Sequence, residues 1–158
     1  MGFRRILVPH DGSKPSDKAI DSAIELAKMS KDSHIILLHV IPELQIPRVL
    51  ERPIRSHKTG ETTTTTEYWL ELYEEIKSSA LKMLEKWKLK CQTAGISAET
   101  RSVVGYPSDV IMKHAEKDNV DIVVMGTTGL RGISKIRALG SVARRVSEEA
   151  KRPVLLIH

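Results

Sequence analysis

The chain is predicted to fold as an α/β domain. It should hold a single open, parallel, five-stranded sheet with helices on both faces. Three observations predict this. Short β-branched runs alternate with amphipathic stretches along the whole chain. Two of the runs, "SHIILLHVI" and "VDIVVMG", are apolar on both faces, as in strands buried inside a parallel sheet. Turn residues, Pro-His-Asp-Gly and Gly-Thr-Thr-Gly, follow the first and fourth runs. At 158 residues a single domain, 1–158, is expected. Such a chain buries roughly 70% of the surface that its unfolded form exposes.

The elements follow in order. "RRILVPH" is a β-branched run that ends in a turn. In "SDKAIDSAIELAKMS", Ile20, Ala23, Ile24 and Ala27 recur at helical spacing, with Ser13 or Ser16 as cap and Pro15 near the first turn. "SHIILLHVI" is the second strand. Residues 42–66 then show no clear period and read as a long, flexible insertion: a lid, a partner-binding arm or a disordered segment. Five consecutive threonines, Thr62 to Thr66, lie within it, and disorder is the expectation for them. "YWLELYEEIKSSALKMLEKWKLKCQTAG" is a long helix with one apolar stripe from Trp69 through Ile76, Leu84 and Cys91 to Ala94, and Gly95 ends it. "SAETRSVVG" alternates like a strand near an edge, and "PSDVIMKHAEKDN" is a helix opened by Pro107. "VDIVVMG", the short helix "SVARRVSEEAKR" and the strand "PVLLIH" complete the pattern. Parallel crossovers of this kind are right-handed.

Composition excludes several classes. Lys and Arg number 25 against 20 Asp and Glu, an interspersed excess of +5 that does not call for nucleic acid. One Phe, three Tyr and two Trp are too few for base-stacking platforms. No apolar run reaches membrane-span length, and the apolar part of "MGFRRILVPHDG" stops too soon for a signal peptide. The only cysteine, Cys91, lies on the long helix's apolar stripe and cannot form an intrachain disulfide, so a reducing, cytoplasmic setting is expected. "KMSK", Lys28 to Lys31, mimics a synthetase signature by chance, because no H-x-G-H accompanies it. His10 is expected to face solvent. His39, inside a buried strand, is expected to be a hydrogen-bonded core histidine, because no metal-spaced partner exists.

Open parallel sheets bind ligands outside the carboxyl ends of their strands, where strand order reverses. "VPHDGS" and "MGTTG" face each other there if the first and fourth strands are neighbours. Neither a Walker loop nor G-x-G-x-x-G is present. Even so, Gly126 and Gly129 would let backbone approach an anion, and Gly140–Ser141 open a helix N-terminus. The stretch "GTTGLRGISKIRALGS" is therefore either a phosphate cradle or a plain surface loop. Asp11 likewise has two readings, an Asx-turn or a ligand contact. Arg131, Lys135, Arg137, Arg144 and Arg145 give the stretch a positive field, or form a solvated face.

"ILVPHDGSKPSDKAI", "VVGYPSDVIMKHA" and "DIVVMGTTGLRG…LGSVARRV…RPVLLI" together resemble the universal stress protein family, nucleotide-binding type, over almost the whole chain. Binding members of that family carry G-x2-G-x9-G-[ST]. Gly126, Gly129 and Gly140–Ser141 follow that pattern, but ten residues, one more than the pattern has, separate Gly129 from Gly140. ATP, AMP and no nucleotide therefore stay open as outcomes. The resemblance implies a Rossmann-like fold, a single open parallel five-stranded sheet with strand order 3-2-1-4-5, and ATP with Mg or Mn on its phosphates. Pro9 and Asp11 would line the ribose, and the Val40 backbone would meet the adenine. Met125 and Gly126 would lie under the ribose and α-phosphate, and Gly129, Gly140, Ser141 and Val142 would offer amides to the phosphates. It also implies a homodimer through the C-terminal strand, acting in stress adaptation with protein clients, without catalytic residues and with at most slow ATPase activity. The alternative is a family member that binds no nucleotide and serves as a dimeric interaction scaffold.

Overall fold

A computed structural model describes residues 2–43, 52–129 and 139–158. The chain runs β1 (Arg5–Pro9), α1 (Lys14–Lys28), β2 (His34–Ile41), β3 (Pro53–Arg55), β4 (Thr62–Thr64), α2 (Thr65–Thr93), β5 (Ser97–Val104), α3 (Pro107–Lys117), β6 (Ile122–Gly126), α4 (Ser141–Glu149) and β7 (Val154–Ile157). Five of the strands form one sheet in the order β5-β2-β1-β6-β7, every neighbouring pair parallel. Numbered within that sheet, the order is the expected 3-2-1-4-5. It reverses between β1 and β6, so that pair marks the switch point.

Strand periodicity divides the core into two layers. Ile6 and Val8, Ile35 and Leu37, and Ile122 and Val124 face α1 and α2, where Ala19, Ile20, Ala23, Ala27, Leu84 and Cys91 meet them. The alternate residues Leu7, Ile36, Leu38, Val123 and Met125 face α3 and α4 through Ile111, Ala115, Ala143 and Val146. Of the two caps the sequence leaves open, Ser13 is the one used, accepting from Ser16 N–H, and Pro15 stands in the first turn as the sequence predicts. Cys91 is fully buried. Burial raises its thiol to a pKa of about 11, outweighing the lowering effects of its own backbone and of Lys90.

The threonine run departs from expectation. Residues 53–55 and 62–64 pair as an antiparallel hairpin. Thr64 then caps α2 through a capping box: it accepts from Glu67 N–H while the Glu67 carboxylate accepts from Thr64 N–H. β-branched threonine suits both positions, extended strand and cap. The hairpin is fastened to α2 by polar contacts. Ser56 Oγ donates to Glu71 Oε2 at 2.8 Å, and the His57 ring meets Glu75 Oε2 at 2.8 Å and the Tyr68 ring edge-on at 5.3 Å. At 29 residues α2 is about 43 Å long. Only its C-terminal half, from Ala80 onward, carries fully buried residues.

The two outer strands differ. On β5, Arg101 donates to Asp118 Oδ2 at 2.6 Å and also meets Glu99. His114 Nδ1 lies 3.3 Å from the same Asp118 oxygen. Burial alone would raise the Asp118 pKa, but the hydrogen bond and charge of Arg101, aided by His114, outweigh it and hold the carboxyl below its ordinary range. On β7 all four residues, Val154 to Ile157, are apolar and half-buried.

Candidate functional site

The site is built from the carboxyl ends of β1 and β6. β1 ends at buried Pro9, and the chain turns through His10, Asp11 and Gly12 into α1. Gly12 has φ +88°, a left-handed conformation that favours glycine. The exposed Asp11 accepts from Ser13 N–H through Oδ1 at 3.0 Å. That is the Asx-turn reading, and it is realised. Its second oxygen, Oδ2, lies toward Gly129 across the switch point. A Cβ at Gly129 would stand 2.6 Å from Asp11 Oδ2. The atom met is the end of an exposed side chain, so a residue other than glycine at 129 would displace the Asp11 carboxylate.

From the other side, β6 ends at Gly126, where an added Cβ would fall 2.8 Å from Pro15 Cβ and 3.0 Å from Ser16 N. Glycine here lets the strand end press on the first turn of α1. Thr127 follows and is buried. Its carbonyl accepts from Gly140 N–H at 2.8 Å, and its own N–H donates to Ile157 O at 2.8 Å. Its hydroxyl lies 3.2 Å from His158 Nδ1. The chain therefore leaves at Gly129 and returns at Gly140 to nearly the same point, whatever the length of linker between them. The residues of that linker which would absorb the extra one, 132–138, lie outside the described residues, as do Arg131, Lys135 and Arg137.

Gly140 is the N-cap of α4, and the first bond of that helix runs from Arg144 N–H to Gly140 O. The amides of Ser141, Val142 and Ala143 come before it and have no acceptor within the helix, and such a helix start is able to receive an anion. Of the predicted amide set, the Gly140 amide is held by the Thr127 carbonyl. Ser141 is exposed and Val142 half-buried against the α3–α4 layer. Met125 is buried in that same layer beneath β6. Val40 lies at the end of β2, half-buried and opposite Val103 of β5. Pro9, Asp11, Gly126, Gly129, Gly140 and Ser141 are thus brought together around one switch point. Val40 stands one strand away, and Met125 underlies them.

Sequence reasoning placed His10 in solvent, and the structure buries it. Its side chain is 1% exposed. Nε2 meets Asp17 Oδ1 at 2.8 Å, Nδ1 accepts from Gly12 N–H at 3.2 Å, and the ring packs 5.8 Å from that of Trp87 on α2. The reason is the turn at Gly12, which folds the chain back over the ring and leaves an amide needing an acceptor. His39 is half-buried and donates from Nδ1 to His10 O at 2.8 Å, as expected of a bonded core histidine. Thr127 was missed altogether. Its only sequence signal was a small hydroxyl residue between Gly126 and Gly129.

With this geometry in view, the relatives of the chain can be compared. The model of the universal stress protein family matches residues 2–158. Universal stress protein YxiE of Bacillus subtilis is 34% identical over 155 residues, covering 98% of this chain and 99% of that one. Universal stress protein MJ0577 of Methanocaldococcus jannaschii is 30% identical, covering 98% and 94%. The solved structure of MJ0577 superposes with a TM-score of 0.81 at 29% identity, over 99% and 96% of the two chains. A universal stress protein in complex with cAMP shares the fold at TM-score 0.68 and 24% identity, over 100% and 98%. So does one from Arabidopsis thaliana with AMP bound, at 0.61 and 21%, over 97% and 90%.

Proposed function

The chain belongs to the universal stress protein family, and from that premise we propose that it binds an adenine nucleotide, ATP with Mg or Mn, across the carboxyl ends of β1 and β6. In this reading it acts in the cytoplasm, in stress adaptation, as a homodimer joined through β7 whose surface responds to the nucleotide and is read by protein clients. One observation carries the binding reading. The Asp11 carboxylate, the close-approach glycine Gly129 and the helix start at Ser141 converge on one point at the switch of strand order. A carboxylate that accepts from sugar hydroxyls belongs beside amides that donate to phosphate. The residues present fit such a group: Asp11 would hold the ribose, and Gly129, Ser141 and Val142 the phosphates. Among the described residues no three His, Cys, Asp or Glu side chains are placed to hold a metal, so the cation of this reading rides on the phosphates. Family relatives with cAMP and AMP support the adenine nucleotide class. Hydrolysis needs a group that orients water beside the terminal phosphate. On the phosphate side Gly129, Ser141 and Val142 offer amides and a hydroxyl instead, and Asp11 is assigned to the ribose, so any turnover is expected to be slow.

The test is the melting temperature with and without Mg-ATP, for wild type, Gly129→Val and Ser141→Ala. Saturation at about 100 times the dissociation constant stabilises the fold by roughly 2.7 kcal/mol. Gly129→Val should abolish the shift, and Ser141→Ala, which leaves the helix amides in place, should reduce it slightly. No shift for wild type at millimolar ATP favours the second reading, a dimeric scaffold without nucleotide. The Gly140 amide already bound by Thr127 and the longer linker between Gly129 and Gly140 speak for that reading.

A further inference from the structure

We propose that His10 is a positioning residue of this site, acting as a neutral imidazole that locks the turn carrying Asp11. The proposal rests on the nucleotide reading above. The two ring contacts assign the tautomer. A backbone N–H can only donate, so Nδ1, which meets Gly12 N–H at 3.2 Å, must present its lone pair. A carboxylate accepts, so Nε2, at 2.8 Å from Asp17 Oδ1, carries the hydrogen. The backbone of the same residue is tied as well: its N–H donates to Leu38 O at 2.8 Å, and its carbonyl accepts from His39 Nδ1 at 2.8 Å. Asp11 thus sits between a residue fixed at ring and backbone and a glycine whose amide that ring holds.

A purely apolar residue would fill the space against Trp87 equally well, but it would leave the Gly12 amide without its acceptor inside the turn. Imidazole fills the space and supplies the acceptor. The carboxylate of Asp17, on the first turn of α1, keeps the acceptor on the correct nitrogen. The Asp11 oxygen that faces Gly129 is therefore placed by a chain that runs Asp17, His10, Gly12.

Three variants separate this role from simple packing. In His10→Asn the side-chain oxygen falls where Nδ1 was and can still take the Gly12 amide. In His10→Gln the longer amide reaches Asp17 instead, and His10→Leu offers neither contact. Calorimetry with Mg-ATP should rank wild type and His10→Asn together, with His10→Gln and His10→Leu about tenfold weaker. The order of melting temperatures without nucleotide should differ, because volume governs it. Nitrogen NMR of the wild type without nucleotide should show Nδ1 unprotonated and Nε2 protonated. Equal affinity for all four proteins, a weak His10→Asn beside an unimpaired His10→Gln, or a ring protonated at Nδ1 would each overturn the proposal while leaving nucleotide binding intact. A wild type that binds no ATP overturns the nucleotide reading and this role with it, even if the ring shows the assigned tautomer.

Discussion

The two edges of the sheet solve the same problem in opposite ways. Each outer strand has one row of backbone groups facing away from the sheet, open to pairing with another chain. β5 is eight residues long and carries Glu99, Thr100, Arg101 and Ser102 at its centre, with Arg101 tied to Asp118 and Glu99. β7 is four residues long and wholly apolar. Charged side chains on an edge discourage another strand from docking, whereas a bare apolar edge invites it. The difference says which edge the proposed homodimer should use. The β7 side chains are not free to change, however. Leu155 and Ile157 pack on the α1–α2 layer, and Val154 and Leu156 on the other. The backbone is the place to intervene.

The strongest test of the contrast is therefore Val154→Pro. The carbonyls of Pro153 and Ile157 accept from the N–H groups of Val123 on β6 and of Thr127 just beyond it, so by strand alternation the N–H of Val154 points away from the sheet. Proline removes that outward donor and keeps similar apolar volume. A two-fold dimer loses two bonds, about 1–3 kcal/mol in total. Light scattering at micromolar concentration should show a shift toward monomer with an unchanged circular dichroism spectrum. A wild type already monomeric there removes the distinction between the edges.

On the charged edge, Asp118→Asn should cost about 1–2 kcal/mol at neutral pH, because it weakens hydrogen bonds to Arg101 and His114. The sign of its pH dependence is fixed. The folded carboxyl sits below its ordinary range, so its stabilisation is full above an unfolded value of roughly 3.9 and is lost as pH falls through the lower folded value. Urea melts of wild type and variant should be separated at pH 7, should begin to approach each other only below about pH 4, and should converge below the lower folded value. A gap that persists at low pH would mean that the cluster acts through shape and not through charge.

The smallest expected effect is Glu99→Val. Stability should change by no more than about 0.5 kcal/mol. With one charge gone from the middle of the edge, turbidity on heating should appear at a lower temperature. Unchanged turbidity would show that Arg101 and Asp118 guard β5 without help.

Most of the main sheet was legible because its signal is local. Apolar runs such as Ile35–Leu38 and Ile122–Met125, set between helical stretches, need no tertiary information to be read as buried parallel strands. The switch point needed the strand order as well, which the order of elements leaves open and the family resemblance implied. What escaped was set by contacts distant in sequence. The hairpin at Thr62 to Thr64 has no hydrophobic alternation and is fastened by Glu71 and Glu75 of a helix that follows it. His10 looked like a polar residue in a turn, and only the meeting of that turn with Trp87 and Asp17 buries it. Asp11 and Gly129 were both legible as candidates, but their close approach across 118 positions was not.

Cys91 turns the molecule into its own stopwatch. The chain has one thiol, and it is fully buried where the last turns of α2 lie on the sheet. With a pKa near 11, about one thiol in a thousand would be ionised at pH 8 even if a reagent could reach it. Alkylation must then wait for α2 to lift, after which the thiol recovers an ordinary pKa near 8.5 and reacts freely. The rate at which a maleimide or iodoacetamide tag accumulates on the native protein therefore counts openings of the α1–α2 layer, with no engineered label and no denaturant.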